Sequence, residues 1–222
     1  MGTRALERLE TLLTGIYDLD TSCRVEDFLV TDRRDLPGAC RDAPGEEQLF
    51  AATDGDELRL SLYLDTALLD RLDRHDPSDR LDADNLADCW TALEGVSHFL
   101  CVVHNAGHDR PVSRETLEMQ AEIDKYVASF VLLQRVDPAR FPAELHTLLF
   151  RRARVDESLT AARAPLYRRA SREAGRFCAG LEPALRASCR REDGGWLTYL
   201  RRFYRLSEFG KRRHIERACA AA

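Results

Sequence analysis

Four residues near the middle of this chain are of the types that do chemistry, and they lie at helical spacing. Glu94 and His98 are four apart, and so are Glu118 and Glu122. Residues four apart are neighbours on a helix surface, so each pair presents its side chains on one face. Carboxylates and an imidazole projecting from facing helices are a donor set for metals in helical bundles. The same groups also make a satisfied polar network that fixes helix register. The Glu94-x-x-x-His98 spacing departs from the Glu-x-x-His pairs of di-iron bundles, and only one of the four is a histidine. Glu94, His98, Glu118 and Glu122 are therefore candidate metal ligands, with no particular cofactor implied.

Two long helices must position them. LADCWTALEGVSHFLCVVHN and RETLEMQAEIDKYVASFVLL flank the short loop AGHDRPVS. In the first, Cys89, Trp90, Leu93, Val96, Phe99, Leu100 and Val103 cover an apolar face at 3.6-residue spacing. In the second, Leu117, Ile123, Val127 and Phe130 or Val131 do the same. Folding the pair back near residue 109 brings His98 close to position 120, between Glu118 and Glu122. It also brings Glu94 to Lys125.

Other chemistries find less support. His98, Cys101, His104 and His108 form a Cys/His cluster, but a structural zinc site draws on two separated ligand pairs and no second pair follows. Cys101 lies in an apolar run, which disfavours a thiolate nucleophile. Gly-x-Ser-x-Gly, P-loop and Gly-x-Gly-x-x-Gly patterns are absent, which disfavours the common nucleotide-binding enzymes. Asp82, Asp84 and Asp88 lack the glycine and terminal glutamate of a calcium loop.

The segment WLTYLRRFYRLSEFGKRRHIER interleaves aromatics with Arg201, Arg202, Arg205, Lys211, Arg212 and Arg213. Single-stranded nucleic-acid sites use such mixtures, with bases stacked on rings and phosphates met by cations. These six are candidate nucleic-acid contacts. The aromatics also sit at helical spacing, which reads equally as a core stripe with a solvated basic face.

The net charge of −5 conceals a division. Residues 1–144 hold 15 basic and 30 acidic side chains, and residues 145–222 hold 18 and 8. The halves either complement each other or present a basic surface to an anionic partner. Seven cysteines without a Cys-x-x-Cys pair fit reduced thiols, hence a cytoplasmic location. The longest apolar run, Phe99 to Val103, falls far short of a membrane span, and the N-terminus makes a poor signal peptide.

The remaining elements follow in order. Residues 4–18 place Leu6, Leu9, Leu12, Leu13 and Ile16 at helical spacing. A short β-like run surrounds Phe28 and Val30, and residues 32–47 read as a loop. QLFAAT and ELRLSLYL flank Asp54-Gly55-Asp56 and predict a hairpin, with Leu58, Leu60, Leu62 and Leu64 on one face. A short helix through Leu72 begins at Asp65 or Thr66, and Asp84 or Asn85 caps the first long helix. Beyond the helix pair, Pro142 suits a first helical turn, and a helix over 164–178 is closed by Gly180. Pro183 begins a separate short helix, Gly194-Gly195 breaks the chain, and Ser207 caps the last helix.

The expected fold is α+β and mainly α-helical: a small N-terminal β-hairpin packed on a helical assembly centred on the long antiparallel helix pair. Residues 1–222 read as a single domain, divisible into an acidic α+β part (1–144) and a basic helical part (145–222). The leading functional expectation is a soluble intracellular interaction or regulatory protein acting through a protein partner, with no membrane role. The alternatives are a metal-dependent enzyme using the Glu/His site and a nucleic-acid binder using the basic C-terminal half.

Overall fold

The computed structural model describes residues 3–36, 38–41, 44–55, 57–151, 164–190 and 195–220. The fold is α+β and mainly helical, built on a three-stranded sheet and eight α-helices among the described residues. The strands β1 (Leu29–Val30), β2 (Glu47–Asp54) and β3 (Glu57–Leu64) lie in the order β1-β3-β2. β1 runs parallel to β3, and β2 pairs antiparallel with it from Glu47↔Leu64 to Asp54↔Glu57. That register brings the hairpin round at Gly55. Gly55 takes φ +62°, a value that glycine adopts without a Cβ penalty; Asp56 lies outside the described residues.

β2 starts at Glu47, so the loop expected over 32–47 ends one residue early. Leu62 and Leu64 are buried on the face turned towards the helices, while Leu58 near the hairpin tip is exposed.

The helices are α1 (Arg4–Tyr17), α2 (Thr66–Arg74), α3 (Leu86–Ala106), α4 (Arg114–Val136), α5 (Leu145–Phe150), α6 (Ala164–Cys189), α7 (Trp196–Tyr204) and α8 (Glu208–Ala220). α3 and α4 form the expected antiparallel pair. Trp90 Nε1 donates to Ser129 Oγ at 2.9 Å and Ser97 Oγ to Asp124 Oδ2 at 2.6 Å, which fixes their register. α3 lies between the β2–β3 hairpin and α4, while α6 packs on α4. By length and composition α3 could cross a membrane, yet 61% of its apolar window is buried inside the protein.

Three helix starts are capped by side chains. Asp65 accepts from Ala67 N at 2.8 Å, Ser113 from Thr116 N at 3.2 Å and Ser207 from Gly210 N at 3.2 Å. Asn85 precedes α3 but does not cap it. Its Nδ2 donates instead to His75 O and Arg80 O, at 3.0 and 2.8 Å, tying the preceding linker together.

The break expected at Gly180 is absent, because α6 runs on through Pro183 to Cys189. A proline forfeits one helical hydrogen bond. The buried stripe Phe177, Leu181, Leu185 and Cys189 continues across it, and that packing outweighs the loss. Pro142 lies just before α5 and accepts from Leu145 N at 3.1 Å. Gly194 lies outside the described residues; Gly195, at φ +57°, leads into α7.

Candidate metal centre

Gly95 lets the sheet close on α3. A Cβ there would lie 3.0 Å from Glu47 Cγ and 3.0 Å from Leu62 Cδ1. This close approach slides Glu47, at the start of β2, against the face of α3 that carries Glu94 and His98. One donor atom each from Glu47, Glu94 and His98 lies within 4.8 Å of the others.

His98 is clamped between two carboxylates. Its Nδ1 lies 3.5 Å from Glu47 Oε1, and its Nε2 lies 3.5 Å from Glu118 Oε2. Both distances are long for hydrogen bonds. Glu47 Oε1 and His98 Nε2 are buried and make no hydrogen bond. Burial works against the charged imidazole, but Glu118 and Glu47 together outweigh it and lift His98 well above its ordinary value. Burial raises Glu47.

The next step along α3 and α4 is an ion-pair relay. Lys125 Nζ lies 2.5 Å from Glu94 Oε2 and 2.9 Å from Glu122 Oε1. Burial opposes both charges of the first pair. The Lys125 ammonium, helped by His98, still holds Glu94 below its usual range, and the two glutamates raise Lys125.

Glu94 thus approaches Lys125, and His98 meets Glu118. Glu122 is turned to Lys125, and the second carboxylate on His98 is Glu47. Four carboxylates here face two cationic groups in the interior, Lys125 and protonated His98. Arg114 reaches Glu118 only from the half-exposed side, at 3.7 Å.

The Cys/His cluster does not assemble with His98. Among the described residues, Glu47, Glu94 and His98 are the group of three with metal-ligand proximity. The His104 and His108 rings meet at a tilt of 46°, with centroids 4.5 Å apart, and His108 Nδ1 meets His104 O at 2.7 Å. Burial and the neighbouring His108, Arg205, Arg110 and Lys211 push His104 down to about 4.

A second buried polar cluster lies deeper. Asp124 accepts from Ser97, from Gln120 Nε2 at 2.8 Å and from the Tyr17 hydroxyl. Lys211 Nζ, from α8, donates to Gln120 Oε1 at 2.7 Å. Burial raises Asp124 to about 6 and lowers Lys211.

The basic C-terminal residues have mostly internal roles. Lys211 is in the core. Arg201 donates to Ile16 O at 2.9 Å and Gly15 O at 3.0 Å, and Arg205 donates to Asp18 O at 2.9 Å. Arg212 pairs with Glu208 at 2.7 Å and reaches Glu115 at 3.6 Å, while Arg169 meets Glu115 at 2.9 Å. Arg202 is exposed, and Arg213, also exposed, lies over the Phe209 ring at 5.5 Å.

An open groove of about 530 Å³ between α1, α4 and α7 is lined by Leu12, Ile16, Val131, Trp196 and Leu197, with Arg8 and Arg135 at its edge. It contains none of the Glu/His residues.

Sequence reasoning missed Glu47 and Asp124. For Glu47 the signal was strand parity: it shares the inward face of β2 with Leu49, opposite Leu64. No family model matches the chain, and neither a curated protein nor a solved structure is similar to it.

Proposed function

We propose that this protein is a metal-dependent enzyme that binds one divalent transition-metal ion through Glu47, Glu94 and the Nδ1 of His98. The observation that carries this reading is the buried Glu47 Oε1, which makes no hydrogen bond and stands 3.5 Å from His98 Nδ1. Ligand bonds of about 2.0–2.2 Å place neighbouring donors of a tetrahedral ion about 3.4 Å apart. The pair is therefore spaced as two ligands of one ion, and longer than a good hydrogen bond.

Glu118 takes the role of outer carboxylate. Facing Nε2, it favours the tautomer that carries the proton there and frees Nδ1 for the metal. Three protein ligands leave a coordination position for water, as in catalytic rather than closed structural sites. Held there, a divalent ion would supply an acidified water as a nucleophile at neutral pH. A mixed carboxylate and imidazole set suits manganese, iron or zinc.

The alternative of an interaction protein acting through a protein partner rests on the charge division of the chain. Contacts such as Arg169–Glu115 and Arg212–Glu115 absorb part of that division internally, so this reading ranks second.

Elemental analysis of the purified protein, followed by titration with Mn²⁺ or Zn²⁺, is the test. One ion per chain is expected, lost in His98→Ala. Absence of stoichiometric metal, with His98→Ala behaving as wild type, sinks the proposal.

A further inference from the structure

Lys125 occupies a place that chemistry would otherwise give to an ion. Its Nζ is held by Glu94 Oε2 at 2.5 Å and Glu122 Oε1 at 2.9 Å, and the side chain is buried. Glu94 belongs to both halves of the cluster. It has a donor atom beside Glu47 and His98, and it also grips the ammonium. A carboxylate shared in this way is how paired ions about 3.5–4 Å apart are bridged in two-metal sites.

We propose that Lys125 is the built-in occupant of a second cation position, so that the wild-type protein takes one ion where its carboxylates are laid out for two. This rests on the metal reading of Glu47, Glu94 and His98.

The geometry supports it in three ways. Both oxygens lie within 2.9 Å of a single point, the Lys125 nitrogen. An ion at that point would reach its usual bond length of about 2.0–2.2 Å with shifts under about 1 Å. Glu94 is 28% exposed at its side chain, which leaves an entry path from solvent. Finally, four carboxylates gather around one lysine and one histidine, so removing the lysine leaves charge that a divalent ion neutralises. Lys125 thereby sets the stoichiometry, and a tethered ammonium that cannot dissociate keeps the second position closed to free ions.

The test compares Mn²⁺ binding by wild type, Lys125→Met, Lys125→Gln and Lys125→Arg, using equilibrium dialysis and elemental analysis of folded protein. Met ends one atom short of the ammonium and leaves its position open. Gln keeps a hydrogen-bonding group and serves if the Met variant does not fold. Two ions per chain are expected for Met and Gln, and one for wild type and Arg. In Met and Gln, paired Mn²⁺ ions are expected to give a spin-coupled paramagnetic resonance spectrum that wild type lacks. Folded Met or Gln variants that take the same single ion as wild type overturn the inference and leave the first site standing. If wild type takes no ion but Lys125→Met takes one, the proposed function falls, and the one-ion-to-two stoichiometry inferred here falls with it. If no variant takes any ion, both are overturned.

Discussion

Gly95 on α3 lies directly beneath Glu47 of β2: a methyl group at position 95 would come within 3.0 Å of the Glu47 Cγ. The space usually filled by a helix side chain is given to a carboxylate from the sheet.

Gly95→Ala tests that contact. Alanine improves helix propensity by about 1 kcal/mol, while overpacking costs about 1–3 kcal/mol. Leu62 Cδ1 stands at the same distance and is fully buried, so the contact is not relieved by moving Glu47 alone. A net loss of about 1 kcal/mol in urea denaturation is expected, together with weaker metal binding as Glu47 is pushed away. Gain of stability with unchanged metal affinity would count against the packing described.

Metal binding should release protons. His98 is lifted well above its ordinary value in the metal-free protein, and an imidazole must shed its proton to ligate. Calorimetric titrations in buffers of different ionisation enthalpy should report release of about one proton per ion at neutral pH. Affinity should climb as pH rises through the raised His98 value. A buffer-independent enthalpy would contradict this.

Glu118→Gln keeps the shape and removes the charge facing His98 Nε2. Loss of an outer carboxylate typically lowers metal affinity by about 10–100-fold. Competition with a chromophoric chelator measures it; an unchanged affinity would remove Glu118 from the site.

Asp124 gives the fold a pH dependence of its own. Its folded value is about 6 against an ordinary 3.8, so between those values the folded protein holds a proton that the unfolded chain has released. Stability should therefore fall as pH rises through that window, by on the order of 3 kcal/mol. His98 acts in the same direction at higher pH: its contribution is complete below the ordinary histidine value and is lost as pH passes the raised one. Asp124→Asn, which keeps an acceptor for Tyr17 and turns an N–H2 group towards the Ser97 hydroxyl, should flatten the lower window and leave the upper one. Urea melts across a pH series separate the two.

Arg201→Ala removes two hydrogen bonds to the last carbonyls of α1. The side chain is partly exposed, so a loss of about 1–2 kcal/mol is expected in thermal or urea melts. If the basic C-terminal residues also bound nucleic acid, affinity would fall with salt and respond to Arg202→Ala and Arg213→Ala, exposed members that make no bond to α1, more than to Arg201→Ala.

The helix pair was legible because its apolar residues repeat every 3.6 positions over more than five turns, and a short loop leaves one way to fold it back. Its register placed Glu94 beside Lys125 within one residue. Glu47 escaped because the expected loop ran through it, so its parity with Leu49 went unread; the register Glu47↔Leu64 shows which way it points. Lys211 read as one cation in a basic run, yet it is buried against Gln120 and over the Phe203 and Tyr204 rings. Composition cannot distinguish a lysine that solvates a surface from one drawn inward by a core acceptor. Pro183 pointed to a helix start for a local reason that the longer buried stripe of α6 overrode.

The arginine contacts to α1 impose an order on how the molecule is made. The carbonyls of Gly15, Ile16 and Asp18 receive their partners from Arg201 and Arg205, more than 180 residues later in the chain. During synthesis, α1 leaves the ribosome long before α7 exists. Contacts of such wide sequence separation form slowly and late. The earliest of these helices to be translated is thus among the last to be completed: Thr14 O closes its last turn locally, through Asp18 N–H and Leu19 N–H, but until α7 arrives the carbonyls of Gly15, Ile16 and Asp18 are met by water.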